Sequence, residues 1–88
     1  MKTINFTKFP LYTRKGEEAG TIDIACSFFD LIFDTGVRKD VKKIQGFDED
    51  QDIELTDENI EFFQRHLDRL DQGRYSICFE KYVEQLNK

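Results

Sequence analysis

The chain has no tryptophan, a single proline, a single histidine, two cysteines and only five glycines in 88 residues. Each scarcity removes a class of chemistry. There is no glycine-rich phosphate loop, and neither Ser27 nor Ser76 sits on a nucleophile elbow. The lone histidine, His66, has no second histidine and no cysteine near it, so a zinc site lacks its ligand set. Beside an apolar stripe, it reads as a partly buried structural imidazole rather than a base. Hydrophobic runs are short too. The longest, IACSFFDLIF, is interrupted by Ser27 and Asp30 and is far too short to span a bilayer. The opening MKTINFTKFPLYT contains no continuous apolar stretch of the kind a secretory signal needs. Positive charge is in deficit, with a net charge of −5 that weighs against general nucleic-acid affinity. Cys26 and Cys78 can form one bridge, but each reads more simply as a small buried hydrophobe in a reducing compartment. The expectation is a soluble cytoplasmic domain with no cofactor, no metal site and no membrane contact.

What the chain does have is phenylalanine, nine of them beside three tyrosines. A chain of this length buries only about 60–65% of the surface its unfolded form exposes. Phenylalanine supplies a large apolar area per residue, which suits a core of small volume. No repeat, linker or low-complexity tract divides the sequence, so residues 1–88 read as a single domain with a radius of gyration of roughly 12 Å.

The pattern predicts an α+β fold, with an N-terminal β-hairpin or short strands followed by three to four packed helices. Thr3 to Thr13 is rich in β-branched and aromatic residues, with Pro10 at a strand start, a bend or an edge. RKGEEAG reads as a turn, and Thr21 to Ile24 as the returning strand. A helix is predicted from Asp23, its cap, to Thr35, with Gly36 as a left-handed stop. Its buried face would carry Ile24, Phe28, Leu31 and Ile32, while Phe29 and Phe33 make it apolar around most of its circumference. Val37, Val41 and Ile44 suggest a short second helix, with a strand as the alternative. The sharpest local signal is the next helix start. Thr56 is its cap, Leu55 and Ile60 form a hydrophobic staple, and Asp57 and Glu58 occupy the first turn. Ile60, Phe63, Leu67 and Leu70 form its stripe, Glu61 and Arg65 pair at i,i+4, and Gly73 ends it. Helical spacing of Tyr75, Cys78, Phe79, Tyr82, Val83 and Leu86 predicts a last helix, although YSICF also alternates like a strand.

Charge is distributed unevenly. From Asp48 to Glu61 there are eight carboxylates in fourteen residues and no lysine or arginine. Asp48, Asp50 and Asp52 match the first three ligand positions of an EF-hand loop. However, Ile53 stands where that loop needs glycine and Asn59 where it needs a bidentate glutamate. Paired acid–base catalysis needs two carboxyls in separated environments within a pocket, whereas these cluster at a helix entrance. Just upstream, Arg38, Lys39, Lys42 and Lys43 form a basic patch interrupted by Asp40. With the acidic run so near, that patch reads as an internal electrostatic partner or a solvated face.

Three segments, INFTKFPLYT, DLIFDTG and IELTDENIEFF, resemble short reading frames carried by bacteriophages and conjugative elements. The resemblance implies a mobile-element origin, and small acidic proteins of that origin often act by binding a host protein. The expected function is therefore a non-enzymatic protein-binding module. Asp48, Glu49, Asp50, Asp52 and Glu54 would meet the basic surface of a nucleic-acid-binding host protein, inhibiting or modulating it without direct nucleic-acid contact. The alternative is a structural or assembly protein acting as a homo-oligomer through its Phe-rich helix.

Overall fold

The computed structural model describes residues 2–87. The fold is α+β, with a radius of gyration of 12.3 Å. Two short antiparallel ladders are made by β1 (Thr3–Ile4), β2 (Phe9–Tyr12), β3 (Glu18–Ile22) and β4 (Ile53–Glu54). Four helices complete it: α1 (Ala25–Thr35), α2 (Arg38–Ile44), α3 (Asp57–Leu67) and α4 (Arg74–Leu86). β2 and β3 form the N-terminal hairpin, with Phe9 opposite Ile22 and Pro10 opposite Thr21. The return strand starts earlier than the sequence pattern predicts, at Glu18, because the turn is confined to Thr13–Glu17. The other ladder joins distant parts of the chain, setting Ile4 opposite Ile53 and Thr3 opposite Glu54.

A 3-10 turn over Phe6–Lys8 links β1 to β2 and drives Phe6 into the centre of the core. Asn5 caps that turn, its side-chain oxygen accepting the Thr7 backbone N–H at 2.9 Å. Phe6 stacks on Phe28 with ring centroids 4.7 Å apart and meets Phe63 edge-on at 5.0 Å. Phe63 in turn meets Phe62 and Phe79 edge-on, and Phe9 meets Tyr75 in the same way. Offset and edge-on pairs of this kind each add about 0.5–1.5 kcal/mol beyond the area they bury. One aromatic network therefore ties the first turn to α1, α3 and α4.

The helices match their predicted cores better than their predicted ends. α1 buries Ala25, Phe28 and Ile32, leaves Leu31 and Phe29 half-buried, and exposes Phe33. Its cap falls one residue later than expected, at Ile24, although Asp23 still accepts the Ala25 N–H at 3.1 Å. Within 37–47 the helix α2 covers Arg38–Ile44, with Val37 exposed just before it and Ile44 buried. Thr56 caps α3 through the Asn59 N–H at 3.1 Å, a contact typically worth ~1 kcal/mol. Phe62 and His66 join Phe63 and Leu67 on the buried face, so the face is wider than the predicted stripe. α3 stops at Leu67, and Gly73 serves instead in the left-handed bend that starts α4. YSICF is helical as part of α4, which packs across β2. Ser76, buried on α4, donates to Asp68 and accepts from Gln64, closing the α3–α4 seam.

Gly36 is needed for a different reason from the one the sequence suggests. Its φ of −80° and ψ of 160° are extended, not left-handed. Its N–H bonds the Ile32 carbonyl at 2.7 Å, and a Cβ on Gly36 would lie 2.3 Å from that same oxygen. The glycine is required by close backbone approach at the α1–α2 corner. Gly36→Ala should therefore lower stability by on the order of 2 kcal/mol, read as a reduced urea midpoint with an unchanged slope.

Candidate functional site

The acidic segment divides once it is folded. Ile53 pairs with Ile4 and is buried, so residues 48–52 form the turn that delivers β4 rather than a loop arranged around an ion. Asp48 donates its N–H to Gln51 Oε1 at 2.8 Å, which tightens the turn. Asp50 and Asp52 face Asn5, whose amide nitrogen lies 3.1 Å and 3.3 Å from their Oδ1 atoms. Thr7 Oγ1 is 3.2 Å from Asp50 Oδ1 as well. Donors from Asn5 and then Thr7 hold the Asp50 carboxyl below the usual aspartate range. Sequence reasoning left Asp50 and Asp52 without a structural role; they have one, because Asn5 ties them to the turn that seats Phe6. Glu54 is exposed in β4, and its carbonyl accepts Asn59 Nδ2 at 2.8 Å.

Glu49 leads in another direction. Cys26 is exposed rather than buried, and its Sγ lies 3.5 Å from Asp30 Oδ2. That hydrogen bond first, and then the charges of Asp30, Glu49 and Asp23, push the thiol up. Folding thus lets the charge of Glu49 act on the Cys26 thiol, although more than a whole helix separates the two in sequence. Cys26 and Asp30 are at helical i,i+4 spacing and were legible as neighbours; the approach of Glu49 was not. Cys78 is buried and, like Cys26, is a free thiol.

The basic patch finds its acids by a route that the residue order hides. Lys43 pairs with Glu58 at 3.2 Å and lies over the Phe62 ring, 4.7 Å from its centroid. Asp40, which interrupts the patch, points inward. Its carboxylate receives Arg65 at 3.2 Å on both oxygens and faces His66 Nε2 at 2.9 Å. Arg65 was expected to pair with Glu61 along α3; it crosses to α2 instead, where a carboxylate screened from water attracts it more strongly. A groove of about 560 Å³ runs between α2 and α3 over this pair, with Val37, Lys39, Lys42 and Glu61 at its edges.

His66 is only 2% exposed, more deeply buried than its sequence position suggested. An ionised carboxylate only accepts, so neutral His66 donates from Nε2 and leaves Nδ1 as a bare lone pair. Nδ1 is buried without a hydrogen-bond partner among the described residues. Burial pushes the imidazole below its ordinary value, opposed by Asp40 and reinforced by the charges of Arg69 and Arg65. The Asp40–His66 pair therefore packs α2 against α3, with its second nitrogen closed to solvent.

Two outcomes follow from these contacts. Asn5→Ala should cost about 1 kcal/mol and loosen residues 48–52, seen as faster amide exchange there than in α3. Because the folded pKa of His66 is lowered, the unfolded chain takes up its proton first as pH falls. The contribution of His66 is complete above an ordinary imidazole pKa of about 6.5 and is lost as pH falls below it. The single imidazole resonance should titrate below that value by NMR, and His66→Gln should flatten the loss of stability as pH falls below about 6.5. An imidazole titrating above 6.5 would reverse the assignment. Compared with protein-family models, curated proteins and solved structures, the chain matches none.

Proposed function

We propose that this chain is a small acidic protein-binding module, of bacteriophage or mobile-element origin, that inhibits or modulates a basic nucleic-acid-binding host protein. The observation that carries this reading is that Asn5 holds the exposed carboxylates Asp50 and Asp52 on the turn before β4. The two carboxylates are thereby in place before any partner arrives. A pre-ordered acceptor array loses less entropy on binding than a mobile one. Its oxygens can take the place of backbone phosphates toward lysine and arginine forks. Asp48, Glu49 and Glu54 are the members whose side chains are exposed and not drawn into Asn5.

A second reading is an assembly role as a homo-oligomer. Its support is the exposure of Phe33 at 65% and Val37 at 64%, large apolar side chains at the α1–α2 corner.

The partner-binding reading is tested by charge reversal that spares Asp50 and Asp52. Asp48→Lys with Glu49→Lys should abolish capture of the host partner in a pull-down while leaving the helical circular dichroism unchanged. Duplex DNA should compete the wild-type complex apart if the carboxylates occupy a phosphate-binding surface. Capture that survives both charge reversal and DNA would remove this surface from consideration.

A further inference from the structure

The N-terminal hairpin carries a cleft of its own where it meets α4. Tyr12 stands opposite Glu18 and Pro10 opposite Thr21, and the ladder slips between these pairs, so that Leu11 alone spans Ala19 and Gly20. A bulge of this kind bends a strand and interrupts its pairing. Gly20 takes the extra step at a φ of 96°, in the left-handed region that favours glycine, and nothing lies within 4 Å of where its Cβ would stand. Tyr82 of α4 closes the other side, fixed by donating its hydroxyl to the Thr3 carbonyl at 2.7 Å. The enclosed space is about 180 Å³.

The lining carries charge of one sign. Glu18 is its carboxylate, and among the described residues no lysine or arginine borders the cleft. Neither the Glu18 carboxylate nor the Tyr12 hydroxyl has a hydrogen-bond or ion-pair partner among the described residues. Burial first, and then the charges of Glu18, Tyr82 and Cys78, push the Tyr12 hydroxyl up, so it stays a neutral phenol beside the carboxylate. An anion finds no positive charge here. A calcium ion wants roughly six to eight oxygen ligands, several of them carboxylate, and one carboxylate does not supply them. Size narrows the choice again. The cleft has room for about six waters, well below the about 300–1,000 Å³ of sites for drug-sized molecules. The end of an aliphatic amine fits both limits. Its ammonium brings three donors, matched in number by Glu18 and the hydroxyls of Tyr12 and Thr21. Its methylenes and charge suit walls made by Leu11 and the tyrosine rings. A guanidinium pairs side-on with a carboxylate and needs no cleft beneath it.

We infer that this cleft binds the terminal ammonium of an aliphatic amine through Glu18, Tyr12 and Thr21, and that its source is a lysine side chain of the basic partner. The lysine source rests on the partner-binding reading above; the ammonium site does not. Its place in the fold supports that source. Thr3, which accepts the Tyr82 hydroxyl, stands opposite Glu54 in the β1–β4 ladder. Burial and then the charge of Asp52 push the Tyr82 hydroxyl up, so the acidic turn is felt at the cleft wall. A lysine seated in the cleft leaves the partner's other cations to face Asp48, Glu49 and Glu54. One charge-assisted contact at an open mouth is weak alone and adds to a multipoint interface.

Amide NMR of the isotope-labelled full chain, at constant ionic strength, tests the site with Nα-acetyl-lysine methylamide as the probe. Saturable shifts should centre on Tyr12, Glu18, Gly20 and Tyr82, and the same probe acetylated at Nε, which lacks the charge, should cause none. Glu18→Gln should weaken binding about tenfold with the circular dichroism unchanged, and Tyr12→Phe should weaken it less. Diaminopentane separates the two sources of an ammonium. An affinity like that of the lysine probe supports a lysine head read alone, and one about tenfold tighter assigns the cleft to a free diamine instead. Shifts that are absent at high millimolar probe, equal for the arginine analogue or unmoved by Glu18→Gln would overturn the ammonium site. If that happens while Asp48→Lys with Glu49→Lys still abolishes partner capture, the cleft falls and the partner-binding reading stands. If capture survives the reversal while the amine still binds, the lysine source falls and the ammonium site stands.

Discussion

The structure depends on the seating of Phe6. Its ring is fully buried between Phe28 of α1 and Phe63 of α3, and through Phe63 it reaches Phe79 of α4. Three helices that share no continuous stretch of chain are thereby referred to one side chain near the N-terminus. A small domain has little apolar volume to distribute, so concentrating it in an interlocked set of rings is an efficient use of few residues. The cost is that the segment bearing Phe6 must be held in a tight 3-10 turn. Asn5 does this with its side-chain oxygen while its amide nitrogen reaches Asp50 and Asp52. Core and acidic surface are therefore joined through one residue.

The charges are arranged by the same economy. Asp40 lies within a basic run yet serves a residue on another helix, because its carboxylate is where Arg65 and His66 converge. Glu58, which suits a helix first turn, also takes Lys43 from α2. These pairs absorb part of the basic patch and part of the acidic run internally. The charge left outward is sorted by position: acids around Cys26 and along Asp48–Glu54, bases at the start of α2. The outward acids support the proposed role toward a basic partner.

Much of this was legible in local patterns. The Thr56 cap, the helical spacing of Phe63 and Leu67 and the periodicity from Tyr75 to Leu86 are all realised, since each arises from interactions a few residues apart. The mistaken details share a cause. Gly36 was read as a left-handed stop because helices commonly end that way, but the α1–α2 corner needs it for the approach of the Ile32 carbonyl. Arg65 was assigned to Glu61 because i,i+4 neighbours are visible in sequence, whereas Asp40 is not. Asp50 and Asp52 were read as acids with no role in the fold, but both face Asn5.

By itself the sequence determined the α+β class, the cap of α3, the phenylalanine core and the concentration of negative charge between Asp48 and Glu61. Those properties follow from composition and from contacts within one or two helical turns. Only the tertiary structure decided that Asn5 anchors Asp50 and Asp52, that Asp40 gathers Arg65 and His66, and that Lys43 reaches Glu58. Each of these joins residues from separate segments, and their meeting is fixed by how the helices pack around Phe6 rather than by any spacing along the chain.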